Sequence, residues 1–314
     1  MHIFIIGATG FIGRALVLRL QRDGHDITAW VRDEERARGA LGADVDLLPI
    51  EAGESALRDA LAVSDAVVNL AGEPLIGRWT RMRLQAITES RVQLTDRIVH
   101  AMRYAEHQPS VFVSGSAVGY YGDRGDEVLT EASAPADDAL ARLCRDWERA
   151  ALQAESAGAR VVLMRTGIVL SRDGGALSRL LLPFRLGLGG PIGSGRQYMP
   201  WIHLHDHVDM IVAALTDGRF SGPVNVSAPA PVTNREFARA LGRALRRPAL
   251  IPLPAFALRL ALGEASSVLL AGQRAVPEKA LRLGFAFQYP EIETALADIV
   301  GRPQDVEIGR FEEA

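Results

Sequence analysis

Three glycines, Gly7, Gly10 and Gly13, follow directly on a short apolar run near the start of the chain, Ile3–Ile6. An apolar run of this length, followed by a glycine turn and a helical pattern, predicts a buried strand, a tight turn and a helix. In such a unit the first glycine permits the turn, the second lets the backbone approach a phosphate, and the third lets helix pack on strand. The positive end of the helix then faces the phosphates. The motif predicts a dinucleotide-binding site formed by Gly7, Thr9, Gly10, Phe11, Ile12 and Gly13.

Short apolar runs alternate with helical stretches, among them Ile12–Arg22 and Arg81–Tyr104. Strands that alternate with helices predict a parallel sheet that is covered on both faces and joined by right-handed crossovers. We therefore expect an α/β fold, a Rossmann-type doubly wound parallel sheet. The predicted strands are Ile3–Ile6, Asp26–Val31, Val45–Leu48, Ala66–Leu70, Val111–Ser114 and Val161–Arg165.

The pattern changes from about Gly174 onward, and the glycine-rich run Gly187–Gly195 predicts a loop. Further predicted elements are a helix that Asp206 caps, a strand near Val224, a helix with a capping box at Thr233 and Glu236, and a helix within Pro254–Leu270. We therefore expect a Rossmann domain over residues 1–240, with substrate-lobe insertions from about 174, and a small C-terminal α/β lobe over 241–314.

Composition excludes several classes of partner. The chain has 35 Lys and Arg against 38 Asp and Glu, a net charge of −3 that does not attract a polyanion, so we expect no nucleic acid. The single cysteine, Cys144, excludes an intrachain disulfide and fits a reducing compartment. No apolar run reaches the roughly 18 residues of a membrane span, and no secretory signal precedes the glycine motif. We expect a cytoplasmic protein without a membrane partner, or an organellar one if a transit peptide is absent from this numbering.

The end of the second predicted strand, Trp30-Val31-Arg32, distinguishes the two nicotinamide cofactors. NAD-binding proteins usually place an acidic residue here to hold the ribose 2′-hydroxyl. A guanidinium suits a 2′-phosphate, so Arg32 favours NADP(H) over NAD(H). In the alternative, Arg32 is a solvated residue that opens a helix, and Asp33 holds the ribose.

Two motifs resemble the extended short-chain dehydrogenase/reductase superfamily. They are the Gly-x-x-Gly-x-x-Gly spacing and Asn69-Leu70-Ala71-Gly72 after the fourth predicted strand. A third segment, Ser114–Gly122, lies after the fifth strand, at the edge where such sheets bind ligands, and Ser116 matches the catalytic serine of the superfamily. In the alternative, this segment is a polar loop whose serines and glycines satisfy the backbone.

Typical members carry a Tyr-x-x-x-Lys pair on the next helix, in which the tyrosine transfers a proton and the lysine holds the nicotinamide ribose. Anchoring the helix on Glu148 places Leu140 and Cys144 at those positions, where their shared helical face predicts packing. The loss of these two residues does not affect the predicted cofactor binding, but the conventional catalytic pair is missing. Candidate replacements are Tyr120 or Tyr121 for the proton donor and Arg145 or Arg91 for the cation.

Short sequence segments along almost the whole chain match a narrower family. They include Ile87–Arg91, Leu181–Pro191, Met199–His203 and Leu270–Arg274. The chain resembles the atypical "epimerase family" branch of these reductases, which is similar to nucleoside-diphosphate-sugar epimerases and has a C-terminal domain of unknown function. The resemblance implies an NADP-binding Rossmann fold in which the loss of Tyr-x-x-x-Lys is usual. It implies cofactor contacts by Val31, Arg32, Leu70, Ala71, Gly72, Glu73, Arg91, Ser114 and Arg165. For Arg165 a structural ion pair is the alternative.

The run His203–His207 contains alternate histidines, which would share one face of a strand. A helix cap at Asp206 would break that alternation, and zinc needs three or four convergent ligands, so we expect no metal. In the superfamily a comparable Ile-His-x-x-Asp segment borders the substrate pocket, which implicates His203 and Asp206. Gln197, Tyr198 and Trp201 are expected to contact a polar ligand, and Trp201 equally fits packing between lobes.

Two functional hypotheses follow from an intact phosphate cradle beside an incomplete catalytic pair. The first is an NADP(H)-dependent oxidoreductase or epimerase-like enzyme that acts on a small polar or nucleotide-sugar-like substrate. The second is a non-catalytic sensor in which NADP(H) occupancy regulates a partner. A symmetric homodimer is the default expectation for its assembly.

Overall fold

The computed structural model describes residues 1–301 of the chain. The strands are β1 (His2–Ile6), β2 (Asp26–Val31), β3 (Asp46–Pro49), β4 (Ala66–Asn69), β5 (Val111–Ala117), β6 (Val128–Leu129), β7 (Arg160–Thr166), β8 (Ile168–Leu170), β9 (Tyr198–Met199), β10 (Trp201–His203), β11 (Gly222–Val226), β12 (Val232–Thr233) and β13 (Arg274–Ala275). Seven of them form a parallel sheet in the order β11-β7-β5-β4-β1-β2-β3.

Helices cover both faces of this sheet. The α-helices of residues 1–301 are α1 (Phe11–Arg22), α2 (Glu34–Leu41), α3 (Gly53–Ala62), α4 (Arg81–Thr88), α5 (Leu94–Arg103), α6 (Ala139–Leu152), α7 (Gly175–Arg185), α8 (Leu204–Thr216), α9 (Asn234–Leu245), α10 (Ala255–Leu262), α11 (Ser267–Leu270), α12 (Glu278–Arg282) and α13 (Ile292–Gly301). Within residues 1–301, none of the helices combines the length and the apolar character that crossing a membrane requires.

The strand order reverses at β1, which lies between β2 and β4. Asn69, the last residue of β4, pairs with Ile6, the last residue of β1, and with Ser114 of β5 near the carboxyl edge. A reversal of strand order opens a ligand-binding crevice at this edge of an α/β sheet. The prediction of a doubly wound parallel sheet is confirmed, and the predicted strand ends meet where a ligand would bind.

Alternate residues of β1 enter two separate cores, one on each face of the sheet. Ile3 and Ile5 pack in the core that α1 and α8 cover, whereas Phe4 and Ile6 pack in the core that α3 and α5 cover. Successive side chains of a strand point to opposite faces. A strand buried on both sides therefore needs the continuous apolar run that the sequence shows.

Two predicted helices are interrupted. The stretch Arg81–Tyr104 divides into α4 and α5, which a π-helical segment, Glu89–Gln93, separates. The stretch Pro254–Leu270 breaks at Gly263, whose φ of +60° lies in the left-handed region that glycine adopts readily. Its two parts are α10 and α11.

The prediction that Asp206 caps α8 is wrong. His203 is the N-cap, because its Nδ1 accepts the backbone N–H of His205 at 3.1 Å. Asp206 lies buried in the first turn and accepts the backbone N–H groups of Gln288 and Tyr289 at 2.8 and 3.0 Å. The acidic side chain thus holds a distant segment in place rather than capping its own helix.

The C-terminal segment returns to the main sheet. Strand β13 pairs in parallel with β6, and Ser227 Oγ donates to the carbonyl of Ala275 at 3.1 Å. Ala280 of α12 belongs to the same core as β1 and α8, and α13 packs with α7 and α9 in a third core. The boundary at residue 240 stays a prediction, and residues 302–314 of the predicted lobe lie outside the described residues.

Candidate functional site

The turn between β1 and α1 is a cradle that has no room for a side chain at Gly7 or Gly13. Gly7 has φ +83°, and a Cβ built there would lie 2.9 Å from the backbone nitrogen of Ala71. A Cβ at Gly13 would lie 2.2 Å from the carbonyl oxygen of Gly7. Gly10 is the N-cap of α1, which has no side-chain cap and no acidic residue in its first turn. The free amides and the positive helix end therefore fit a phosphate group.

Three further cradle residues contribute in different ways. Thr9 and Ile12 are half-buried at the turn, whereas the ring of Phe11 packs beneath the loop that leads into α7. A Cβ at Gly174 would lie 2.4 Å from Phe11 Cδ2, so this close packing needs glycine. The sequence pattern assigned Phe11 to the cofactor, but its side chain supports the cradle from the α7 side.

The structure at the end of β2 distinguishes Arg32 from Asp33 as the residue that contacts the adenosine ribose. Val31 is buried, and the next residue, Arg32, is exposed and makes no ion pair within residues 1–301. Asp33 is the N-cap of α2, and its Oδ1 accepts the backbone N–H of Arg36 at 3.0 Å. Because capping occupies a carboxylate oxygen of Asp33, the geometry favours Arg32 as the group that faces the cofactor.

The turn after β4 forms the opposite wall of the cradle. Asn69 is fully buried; its Oδ1 accepts the backbone N–H of Ala71 at 3.2 Å, and its Nδ2 donates to Thr95 Oγ1 at 3.0 Å. Trp147 Nε1 also donates to Thr95 Oγ1, at 3.1 Å. These bonds hold Leu70 and Ala71, both half-buried, against Gly7. Sequence reasoning missed Thr95, since a threonine inside a helix carries no visible signal.

Arg91 lies in the π-helical segment Glu89–Gln93, beside this wall. Its Nη1 donates to the carbonyl of Glu73 at 3.0 Å, and its guanidinium lies over the Trp147 ring, 5.3 Å from the centroid. A Cβ at Gly72 would lie 3.0 Å from the guanidinium carbon. Burial lowers the pKa of Arg91. No carboxylate pairs with Arg91 in the described part of the chain, so this half-buried cation suits an anionic ligand.

The helix that carries Tyr-x-x-x-Lys in typical relatives carries an apolar face here. A Cβ at Gly119 would lie 3.6 Å from Leu140 Cβ and 3.8 Å from Cys144 Sγ. Burial raises the pKa of the Cys144 thiol to about 12, so it stays neutral. Of the two candidate cations, Arg145 pairs with Asp137 at the surface, at 3.1 Å. Of these two, Arg91 is therefore the one that lies at the site.

Ser116 is attached to a buried ion pair. Its Oγ donates to Glu148 Oε1 at 2.6 Å, and Arg165 binds both carboxylate oxygens of Glu148, at 2.8 and 2.9 Å. The side chains of Arg165 and Glu148 are only 4% and 7% exposed. Burial alone would lower the pKa of Arg165, but its bonds to Glu148 raise it. Arg165 therefore forms the structural ion pair that was the alternative to cofactor contact.

The two tyrosine candidates for proton donor face this ion pair rather than an open site. Tyr121 is fully buried; its hydroxyl donates to Asn225 Oδ1 at 2.6 Å and accepts from Arg165 Nη1 at 3.0 Å. Burial raises the pKa of Tyr121 to about 12. The ring of Tyr120 lies 3.5 Å from the Arg165 guanidinium carbon. The hydroxyl of Tyr121 is therefore occupied inside the protein, whereas a catalytic role for Tyr120 stays a prediction.

A cavity of about 440 Å³ lies beside Ser116, Arg91 and Cys144. Ser114, by contrast, is fully buried and donates to the carbonyl of Gly115, which excludes its side chain from cofactor contact. Most of the remaining wall is apolar and comes from parts of the chain that sequence reasoning did not assign to a site. It includes Leu75, Ile76, Val118, Leu140, Leu143, Ile168, Leu180, Phe184, Met199, Phe237, Leu253 and Val268.

Of the residues expected around a polar ligand, Tyr198 lies on this wall. Trp201 is fully buried in the third core and donates to the carbonyl of Ala230 at 3.0 Å, which is the packing alternative. Gln197 Nε2 donates to the carbonyl of Ile192 at 3.0 Å, so its side chain fixes a loop. The described residues contain no cluster of three or more His, Cys, Asp or Glu side chains that could hold a metal ion.

His207 predicts a loss of stability in mild acid. Burial lowers its pKa to about 4, and its Nδ1 has no hydrogen-bond partner among the described residues. The pKa of this histidine in the unfolded chain is about 6.5. Between pH 6.5 and 4 its imidazole is therefore protonated in the unfolded chain but stays neutral in the folded protein. The free energy of unfolding falls as the pH falls through this range. We expect His207 to account for about 2 kcal/mol of the loss between pH 7.5 and 5.

Urea unfolding of the wild type and of His207→Gln at these two pH values measures this contribution. The glutamine cannot take up a proton, so the variant should lose less stability on acidification than the wild type. Exposed His107 provides the matched control, and His107→Gln should follow the wild type. Identical pH profiles for all three proteins would show that His207 is not the cause.

Comparisons with known proteins agree with this geometry. The model of the "NAD dependent epimerase/dehydratase family" matches residues 3–227, and "Domain of unknown function (DUF1731)" matches residues 253–299. The chain is 42% identical over 302 residues to the "Epimerase family protein SDR39U1 homolog, chloroplastic" of Arabidopsis thaliana, covering 96% of this chain and 87% of that one. It is 36% identical over 301 residues to YfhF of Bacillus subtilis, covering 96% and 98%.

A crystal structure of the human epimerase family protein SDR39U1 (isoform 2), solved with NADPH, superposes with a TM-score of 0.82 at 35% identity and covers 96% of this chain and 99% of that one. The UDP-glucuronic acid 4-epimerase of Bacillus cereus, at 15% identity and a TM-score of 0.76, shares the fold. The chain therefore belongs to the NAD dependent epimerase/dehydratase family, as an epimerase family protein of the atypical extended short-chain dehydrogenase/reductase type.

Proposed function

We propose that the protein binds NADP(H) in the β1–α1 cradle and is an NADP(H)-dependent oxidoreductase. The observation that carries the proposal is the cradle itself, where Gly7 and Gly13 leave no room for a Cβ and the end of α1 has no side-chain cap. Arg32 provides a cation for the 2′-phosphate, and the human relative was crystallised with NADPH.

Each part of the cofactor has residues that fit it. Gly10 and Gly13, with the first turn of α1, would hold the pyrophosphate, and Arg32 would hold the 2′-phosphate. Leu70 and Ala71 would line the adenosine side, and Arg91 would serve a phosphate or the nicotinamide ribose. Bound NADPH supplies a hydride, which is the chemistry of this class of cofactor.

The residues beside the cavity limit how protons move. Ser116 donates its own proton to Glu148, so it presents lone pairs, and no proton, to a ligand. It can therefore accept a hydrogen bond from an alcohol and position it. Tyr198 is the tyrosine among the cavity-lining residues, and the Arg274 guanidinium carbon lies 5.0 Å from its ring centroid. We assign Tyr198, in place of Tyr120 or Tyr121, as the proton source for a carbonyl.

The alternative function is a non-catalytic NADP(H) sensor, and the absence of the Tyr-x-x-x-Lys pair is the observation that supports it. The cavity beside the cradle favours the enzyme, because a sensor that only binds the dinucleotide has no need of it. Hydride transfer from NADPH to a carbonyl compound supports the enzyme. Partner binding that changes with NADPH, without any turnover, supports the sensor.

Replacing Arg32 with alanine tests the cofactor assignment. A charged hydrogen bond contributes about 1.5–3 kcal/mol, and solvent weakens it at an exposed residue. We therefore expect the dissociation constant for NADPH to rise about tenfold, while that for NADH stays unchanged. Calorimetric titration of the cofactor-stripped protein measures both constants.

Arg36→Ala is the matched control, because Arg36 is also exposed and lies one helical turn further along. It should bind both nucleotides as the wild type does. Equal weakening of NADPH and NADH in Arg32→Ala would refute the 2′-phosphate assignment. A wild type that binds neither nucleotide would refute the proposed function.

A further inference from the structure

The cavity is unsuited to a ligand with many hydroxyl groups, because most of its polar side chains, other than Tyr198 and Arg179, already donate hydrogen bonds within the protein. Asn234 Oδ1 accepts the backbone N–H of Ile192 at 2.6 Å, and Gln273 Nε2 donates to the carbonyl of Gly122 at 3.0 Å. Other bonds of wall hydroxyls are Ser116 to Glu148, Thr166 to the carbonyl of Met164, and Ser267 to the carbonyl of Glu264. Ser116 can accept one hydroxyl, but the other hydroxyls of a sugar buried here would lose water and find few partners, which costs free energy.

The charge on the wall has one sign. The lining contains no Asp or Glu, and its two ionised side chains are Arg91 and Arg179. Arg91 is tied to the cradle through the carbonyl of Glu73. Arg179, on α7, is exposed and has no ion-pair partner within residues 1–301. An arginine at the rim of an apolar cavity can hold a carboxylate in a bidentate manner while the rest of the ligand is buried.

We propose that the cavity binds an amphipathic acid, a ligand with an apolar body and a single carboxylate that Arg179 holds at the rim. The apolar body lies against Leu140, Leu143, Leu180 and Phe184. This substrate class rests on the proposed function for its reaction, although the binding itself does not depend on NADP(H). It replaces the expectation of a small polar or nucleotide-sugar-like substrate.

Calorimetric titration with decanoate, decanol and UDP-glucose tests the proposal, each with and without saturating NADPH. We expect decanoate and decanol to bind and UDP-glucose not to bind. Arg179→Ala should weaken decanoate at least fivefold and leave decanol unchanged. Arg185→Ala, on the same helix but outside the wall, should change neither.

Blocking variants show whether the ligand occupies the cavity rather than exposed leucines nearby. Ala176→Trp and Leu143→Trp each fill the cavity from a different helix and should abolish decanol binding. Leu182→Trp, on the exposed side of α7, should not. A blocking variant is scored only where its thermal unfolding midpoint matches that of the wild type.

Several outcomes would overturn the proposal: UDP-glucose binding without decanoate binding, equal effects of Arg179→Ala on decanoate and decanol, or decanol binding that survives both blocking variants. Parallel titration with NADPH separates this proposal from the proposed function. Decanoate binding without NADPH binding would contradict the cofactor assignment alone. NADPH binding without decanoate binding would contradict the substrate class alone.

Discussion

Glu148→Gln should lower the free energy of unfolding by about 3–5 kcal/mol, because it leaves a buried guanidinium without its counter-charge. Both carboxylate oxygens of Glu148 bind Arg165, and both side chains are almost wholly buried. Glutamine keeps the shape and one acceptor, so the expected loss reflects charge rather than packing. Urea unfolding measures it, and the loss should be accompanied by an unchanged dependence on urea concentration.

An exposed pair on the same helix supplies the control. Asp146 binds Arg149 at 3.0 Å, with side chains that are 51% and 72% exposed. Solvent screens such a pair, so Asp146→Asn should cost less than about 1 kcal/mol. The double variant Glu148→Leu with Arg165→Met should recover part of the loss, since no charge stays buried. Equal losses for Glu148→Gln and Asp146→Asn would refute the account.

Gly13→Ala should raise the dissociation constant for NADPH at least about a hundredfold, by moving the N-terminus of α1 away from the phosphates. The added methyl would lie 2.2 Å from the carbonyl oxygen of Gly7 and 2.7 Å from that of Ala8. Both are backbone atoms of the cradle and cannot swing aside as a side chain could. The helix must therefore shift relative to β1, and overpacking of this kind costs about 1–3 kcal/mol of stability as well.

Gly39→Ala adds the same methyl where nothing opposes it. Gly39 lies exposed in α2, and a Cβ there has no neighbour within 4 Å. Alanine in a helix interior is favoured over glycine, so stability should rise by about 0.5–1 kcal/mol and NADPH affinity should not change. Calorimetry and urea unfolding of both variants decide the question. NADPH binding by Gly13→Ala that stays within a factor of about three would show that the cradle does not hold the phosphates.

The sheet and the cradle could be predicted from the sequence because both depend on local patterns. The run Ile3–Ile6 becomes β1, and Gly7, Gly10 and Gly13 stand where strand, turn and helix need them. The capping box of Thr233 and Glu236 at the start of α9 is likewise confirmed. In each case the residues that decide the structure are within a few positions of one another.

The direction in which polar side chains point could not be predicted. Arg165 and Tyr121 lie near strand ends at the ligand-binding edge, yet both turn into the protein. Their orientation is decided by Glu148 and Asn225, which lie on other elements, and nothing in the sequence pairs these residues with Arg165 and Tyr121. The π-helical segment around Arg91 and the histidine cap of α8 were missed for a related reason, since packing selects them over the ordinary local preference.

The contacts of the C-terminal segment with the sheet also determine when folding can be completed during translation. Asn225 accepts the hydroxyl of Tyr121, and its own amide donates to the carbonyls of Leu129 and Val276 at 3.3 and 2.9 Å. The last of these partners leaves the ribosome only when most of the chain has been translated. Until then, the buried polar groups of the nascent chain lack part of their hydrogen bonds. We expect the chain to be most prone to misfolding, and chaperones to be of most use, during that interval.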